Sequence, residues 1–346
     1  MADITNSEFL ETLRSHLGGK GTPAIARDPV NQPMIRHWCD AMKDHSPVYT
    51  DPELAAKSVH GEIVAPPTML NAWNMVGNIE RLPDPSDPQS AVVSLLDEGG
   101  FSSVVATNCE QEYIRYLRLG DELRAVLILE DISEEKHTGL GIGHFVTTMN
   151  EYRNQDDELV GRMRFRILKF KPGTGKTAPA SGEAAASGGG AAEPPPRISH
   201  ERRESTLRFE EVEVGDELPE CPIPITTTLI VAAAIASRDY QDVHHDRDLA
   251  VERGSPDIFM NILTSSGLCG RYITDWTGPE ALLQSQSIRL GAPNYPGDTM
   301  TLSGSVLSKE AQNGAGLVEV GLRGANRLGD HVTGKVKLTL PGSIAV

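Results

Sequence analysis

Two stretches of this 346-residue chain read as versions of one another, and any fold has to accommodate both. In one, IRHWCDAMKDHSPVYTDPELA leads to EIVAPPTMLNAW; in the other, VAAAIASRDYQDVHHDRDLAVERG leads to DIFMNILTSSGL. Asp44 to Pro67 spans 23 positions, and so does Asp239 to Ile262. A Gly-Asp step then precedes an alternating apolar strand in YIRYLRLGDELRAVLILEDI and again in IRLGAPNYPGDTMTLSGSVL. Each half closes on two long strand-like runs about a polar turn, RNQDDELVG in the first and NRLGDHVTG in the second, which pin hairpin register.

Between the repeats the composition breaks. Residues 172–196, PGTGKTAPASGEAAASGGGAAEPPP, hold no aromatic residue and no Leu, Ile, Val or Met. Such a segment cannot bury enough apolar surface to offset its ordering entropy, so it reads as a flexible Ala/Gly/Pro tether. The expected domains are therefore 1–171 and 197–346. The run LIVAAAIAS is too rich in Ala for a strand and predicts a buried helix. A helix followed by long antiparallel strands predicts an α+β fold, an antiparallel sheet wrapped around a central helix in each half. Pairing the two sheets edge to edge would remove exposed edges. The Pro-rich stretch RLPDPSDPQS reads as an added surface loop of the first half.

Lys+Arg 32 against Asp+Glu 48 leaves a net charge of −16, the wrong sign for general nucleic-acid or anionic-membrane binding. The four cysteines, Cys39, Cys109, Cys221 and Cys269, form no CxxC pair and have no His at metal spacing, so neither a disulfide framework nor a metal site is expected. The opening MADITNSEFLETLRSH has no apolar signal core, and the longest apolar run, Leu229 to Ala236, is too short to span a bilayer. A cytoplasmic location is the expectation.

Asp239 and His244 stand five apart just after the Ala-rich helix. A carboxylate and an imidazole that share one small volume can hold a water, one taking a proton while the other delivers one. Spacing alone is weak evidence, and a capping Asp and a solvated His are the commoner reading of it. The surrounding string SRDYQDVHHDRDLA, however, resembles the hydratase signature of the MaoC-like (R)-specific enoyl-CoA hydratases, S-G-D-x-N-P-hydrophobic-H followed by an Asp and a small residue. Ser237, Asp239, Val243, His244, Asp246 and Ala250 match it; Arg238, Gln241 and Asp242 depart from it. RFEEVEVGDELPE, APNYPGDTMTLSGSV and NRLGDHVTGKVKLTLP are similar to the family's opening strand, PGD strand and closing hairpin.

The resemblance implies a double hot-dog fold, with Asp239 and His244 catalytic and water added across a trans-2-enoyl-CoA. It implies no metal or redox cofactor, the coenzyme A thioester being the substrate. MNIL places Asn261 and Ile262 where the family opens its central helix, so the Ile262 amide is the expected oxyanion contact. The first half resembles the family's degenerate domain. There Asp44, Ser46, Pro47 and Val48 match, Tyr49 stands at the His position, and Pro67, which has no N–H, stands at the amide donor. That half reads as wall for the acyl group and part of the coenzyme A groove, with Trp73 and Met69 as pocket candidates beside Trp38, Leu70 and Met75. Arg271, Arg289, Arg323, Arg327 and Lys335 are candidate phosphate contacts.

DYQDVHHD together with GSPDIFMNILTSSGLCGRYITDWTGP resembles the actinobacterial hydratases of steroid side-chain enoyl-CoA esters, here as a fusion of degenerate and catalytic units. This resemblance implies a bulky acyl group, a homodimer, and association with a downstream aldolase or another side-chain degradation enzyme. A straight-chain fatty acyl-CoA substrate and a non-catalytic acyl-CoA-binding scaffold remain open alternatives.

Overall fold

Period-two alternation along the strand-like runs requires one covered face on each, and the chain supplies the cover from two sides. The computed structural model describes residues 6–79, 84, 87–175, 201–312 and 315–342. The first half holds helices α1 (Asn6–Arg14), α2 (Gln32–Met42), α3 (Pro47–Thr50), α4 (Pro52–Lys57) and α5 (Pro88–Glu98). Its strands are β1 (Ala24–Ile25), β2 (Ser103–Tyr113), β3 (Arg124–Ile132), β4 (Lys136–His137), β5 (Ile142–Arg153) and β6 (Leu159–Phe170). The second half holds β7 (Glu217–Pro224), α6 (Thr227–Ala236), α7 (Arg247–Glu252), α8 (Ile262–Thr277), β8 (Leu282–Leu290), β9 (Thr299–Gln312), β10 (Ala315–Asn326) and β11 (Gly329–Leu340).

All eleven strands pair antiparallel in one sheet, in the order β1-β3-β5-β6-β2-β8-β11-β10-β9-β7, with β4 on β5. The order reads the same way outward from its middle, so the two halves are related as near-copies about the β2–β8 seam. That seam runs from Asn108 opposite Arg289 to Glu112 opposite Ser285, and it satisfies what would otherwise be two open edges. The two sheets expected from sequence thus meet edge to edge. Most of the tether expected at 172–196, from 176 onward, and half of the Pro-rich stretch lie outside the described residues; the end of that stretch, Pro88–Ser90, is not loop but the start of α5.

The second half carries the long central helix. Asn261 caps α8 by accepting from the Thr264 amide at 2.8 Å, and every one of the sixteen helical residues except Trp276 is buried. Gly267 lets α8 come close to α2: a Cβ there would lie 2.8 Å from the Trp38 ring and 3.0 Å from Met42. In the first half the corresponding place is taken by a three-residue 3-10 turn, Pro67–Met69. Pro66 and Pro67 cannot propagate a helix, and Asn71, Asn74 and Gly77 follow where a long helix would need strong formers.

The shortened helix leaves part of the first half's sheet without cover. One core of both halves runs through Trp38, Met42, Met69, Trp73, Leu268 and Tyr272. A second, smaller core under α1 and α5 joins Leu13, Val92, Leu96, Leu129, Ile132 and Val146. Val105, Ala106, Phe165 and Ile167 lie on β2 and β6 and are only half-buried. The four thiols are buried and unpaired. Among the described residues no helix is long and apolar enough to cross a membrane.

Candidate active site

Helix α6 ends by returning its chain sharply. The Asp239 amide donates to the Ala234 carbonyl at 2.9 Å and the Arg238 amide to Ile235 at 3.0 Å, the paired closure of a Schellman-type end. Arg238 takes the left-handed conformation that this closure requires, φ +59°. A 3-10 turn over Asp242–His244 follows, and the two side chains singled out from sequence converge. His244 Nε2 lies 3.6 Å from Asp239 Oδ2. Both residues are buried, at 6% and 8% exposure.

Each group is held in a defined state. Asn261 Nδ2 donates to Asp239 Oδ2 at 3.0 Å and to Ser237 Oγ at 3.1 Å, while its Oδ1 caps α8. One amide therefore ties the carboxylate to the first turn of the central helix. His244 Nδ1 lies 2.7 Å from the Phe259 carbonyl, which accepts only from N–H, so a neutral imidazole presents a bare Nε2 toward Asp239. The Phe259 ring meets the imidazole edge-on at 5.1 Å. Burial pushes the His244 pKa below the ordinary histidine value, against the opposing pull of Asp239 and of the Phe259 hydrogen bond.

The pair stands at one end of a cavity of about 180 Å³. Its apolar floor is the uncovered sheet of the first half, Val105, Ala106, Phe165 and Ile167, and Asn71 and Met75 form its side. Ile262 and Leu263 face it from the start of α8. The first-turn amides of a helix have no intrahelical acceptor and sit at the positive end of its dipole. The cavity thus combines a close imidazole–carboxylate pair that a water can bridge from the side, a pair of first-turn amides and an apolar floor.

The structure brings Asp239, His244, Asn261 and Ile262 together. It does not bring Trp73 or Met69 into the cavity: both are buried in the shared core, at 3% and 0% exposure, and Asn71 and Met75 from the same segment face it instead. The segment turns tightly from Pro67, so its side chains divide between core and cavity, and of the five wall candidates Met75 alone lines the cavity. Of the phosphate candidates, Arg271 is buried on Asp275 and the Met42 carbonyl. Arg323, Arg327 and Lys335 pair with Asp330, Asp298 and Glu319, which leaves Arg289 exposed on β8. Two contributors carry no sequence signal: the Phe259 carbonyl, and Arg202. The Arg202 guanidinium bridges Asp44 at 2.8 Å and Asp275 at 2.5 Å. Tyr49, buried where an imidazole would stand, and Pro67 complete a site filled by protein. Among the described residues no cluster of three His, Cys, Asp or Glu is placed to ligate a metal.

A sequence model of the FAS1-like dehydratase domain region matches residues 18–163. The chain is 52% identical over 130 residues to the Mycobacterium tuberculosis 3-oxo-4,17-pregnadiene-20-carboxyl-CoA hydratase beta subunit, covering 38% of this chain and 98% of that protein. It is 45% identical over 172 residues to a probable enoyl-CoA hydratase alpha subunit of Thermomonospora curvata, and 42% over 154 residues to the alpha subunit of the mycobacterial enzyme. These matches cover 49% and 44% of this chain, and it spans about half the length of those two alpha subunits, 54% and 49%. A solved MaoC-like dehydratase superposes over 96% of this chain and 100% of its own with a TM-score of 0.70 at 22% identity. A Mycobacterium tuberculosis protein described as a double hot-dog superposes over 93% of this chain and 96% of its own, with a TM-score of 0.61 at 13% identity. Both likenesses are of fold, the double hot-dog.

Proposed function

The chain belongs to the MaoC-like hydratase and dehydratase family, and we propose that it is a hydro-lyase adding water across a trans-2-enoyl-CoA with a bulky acyl group, of the steroid side-chain kind, to give the 3-hydroxyacyl-CoA. The observation that carries the reading is the 3.6 Å gap between His244 Nε2 and Asp239 Oδ2 at the end of an apolar cavity. The gap exceeds a direct hydrogen bond, and both atoms are hydrogen-bond acceptors in the states their neighbours fix, which suits a water donating to each.

The thioester carbonyl docks at the first-turn amides of Ile262 and Leu263, where charge develops on oxygen as the double bond polarises. The water oxygen bonds to the β-carbon while His244 Nε2 takes one of its protons. The electron pair of the double bond moves through the α-carbon toward the thioester oxygen. The imidazolium, stabilised by the Asp239 carboxylate beside it, then gives its proton to the α-carbon, and both groups return to their starting states. Every step uses groups of this chain; the coenzyme A thioester enters as substrate.

The bulky acyl group is supported by the first half. Its missing central helix leaves a sheet floor where a second site would otherwise stand, and Arg202 fills the degenerate carboxylate. The cavity of about 180 Å³ lies below the ~300–1,000 Å³ usual for ligand pockets, so a bulky acyl group has to extend past it over the half-buried sheet. The names of the relatives support the same substrate class. Homodimer formation and docking of an aldolase or another enzyme that consumes the product are proposals of the same standing.

The test follows enoyl-thioester absorbance with a steroid side-chain enoyl-CoA beside crotonyl- and decenoyl-CoA. Turnover of the steroid ester is expected, reduced about 10²–10⁴-fold in Asp239→Asn and in His244→Ala. More than a third of wild-type activity in Asp239→Asn overturns the catalytic assignment. Turnover of straight chains alone discards the bulky substrate, and no turnover at all leaves a binding scaffold.

A further inference from the structure

Arg238 occupies a position that costs free energy for any residue carrying a Cβ. Its φ of +59° lies in the left-handed region, and the two backbone hydrogen bonds that close α6 would form equally well with glycine there. What glycine could not supply is the side chain. The guanidinium reaches across to the first half, where Nε donates to the Met75 carbonyl at 3.0 Å and Nη2 lies 3.4 Å from the Val76 carbonyl. Gly77 makes room for it: a Cβ at that residue would stand 3.1 Å from Arg238 Nη2. Among the described residues Arg238 has no carboxylate within ion-pair distance, so the charge is spent on these carbonyls.

The two ends of this bridge matter for the cavity. Asp239, the next residue, lines its polar end, and Met75 lines its side together with Asn71. On the far side the same segment is anchored where Asn74 Nδ2 donates to the Ala24 carbonyl at 2.7 Å. The wall is therefore held between β1 and the catalytic loop. Strained backbone persists where the surrounding structure over-determines it, and here the cross-half hydrogen bonds are what does so. We propose that Arg238 is a positioning and specificity-determining residue that clamps the Asn71–Gly77 wall onto the catalytic loop, setting the cavity width that a bulky acyl group requires at Asp239 and His244. The proposal deepens the hydratase reading and rests on it for its kinetic part.

Arg238→Gly relieves the backbone strain while removing the clamp, and Arg238→Lys keeps one charged donor. In the full chain, the ratio of kcat/KM for the steroid side-chain ester over that for crotonyl-CoA is expected to fall at least tenfold in the glycine variant. The fall should be carried by KM for the large ester, and lysine should restore part of it. Crotonyl-CoA, whose four-carbon acyl group needs the least width, supplies the reference. Hydrogen exchange supplies a readout independent of turnover: amides within 71–79 should exchange at least tenfold faster in Arg238→Gly, with those of α8 unchanged. Unchanged exchange in 71–79 overturns the clamp. Faster exchange with the selectivity ratio within twofold of wild type overturns its role in specificity, as does a parallel loss on both esters. A wild-type chain that turns over neither ester overturns the hydratase reading instead, and the exchange result still decides the clamp.

Discussion

His244 is held by two backbone constraints, the Phe259 carbonyl on Nδ1 and the turn that carries it, and burial favours its neutral form. The direction of the shift gives a sign. A histidine whose pKa is lowered by folding keeps its bare Nε2 at pH values where an ordinary imidazole, near 6.5, is half protonated. The acid limb of kcat/KM is therefore expected below pH 6.5, and a pH–rate profile with its midpoint at or above that value contradicts the assignment. The same shift makes the histidine contribute stability above its unfolded pKa, lost as pH falls toward the folded value. Asn261 shows how one residue serves two tasks: its oxygen caps α8 and its nitrogen holds Asp239, so carboxylate and oxyanion amides move as one piece.

At the scale of elements the two halves diverge at one point in the repeat. Where α8 runs sixteen residues, the first half has a 3-10 turn that begins at Pro67. α8 stabilises the interface by close approach, and its fit to α2 leaves no room at Gly267. Gly267→Val would drive a side chain into Trp38 and Met42, which are 1% exposed. A loss of about 1–3 kcal/mol is expected from overpacking, read as a lower urea midpoint at unchanged slope. A midpoint equal to wild type would mean that α8 shifts away from α2 at no cost. The same element explains the pocket: with no helix of this length on the other side, Phe165 and Ile167 stay open to the cavity.

Over the whole molecule, the two halves are joined by a strand seam and by a buried ion network. Arg202 stands between Asp44 of the first half and Asp275 of the second, and Arg271 reaches from Asp275 to the Met42 carbonyl. Removing Arg202 strands the buried Asp44 carboxylate and leaves Asp275 to Arg271 alone. Arg202→Met is expected to destabilise the chain by about 3–5 kcal/mol at neutral pH, by analogy with broken buried pairs. The loss should shrink when Asp44→Asn is added, as measured by denaturant unfolding of the single and double variants. Equal losses in both would show that Arg202 acts through packing alone.

What was legible in the residues was local. Turn chemistry, alternation and the internal repeat predicted the antiparallel hairpins, the Ala-rich helix and the doubled architecture, because each depends on neighbours within a few positions. Asp239, His244, Asn261 and Ile262 were singled out only through the resemblance of SRDYQDVHHDRDLA and MNIL to the family's motifs; their spacing alone did not distinguish a site from a cap. Of the cavity wall, only Met75 was among the candidates read from sequence. Met69 and Trp73 sit in the core while Asn71 and Met75 face the site, because Pro66 and Pro67 replace a helix by a turn whose side-chain directions follow from packing against α8. Arg202, Arg238 and the Phe259 carbonyl were equally hidden, since each acts on a group brought near by the chain's return. Arg238 reaches Met75, 163 positions away, and Arg202 reaches Asp44, 158 away. Sequence by itself determined which elements form and which half departs from the hydratase signature; only the tertiary structure decided which side chains line the cavity and how the two halves pair across it, because that depends on long-range burial and charge pairing that no local pattern encodes.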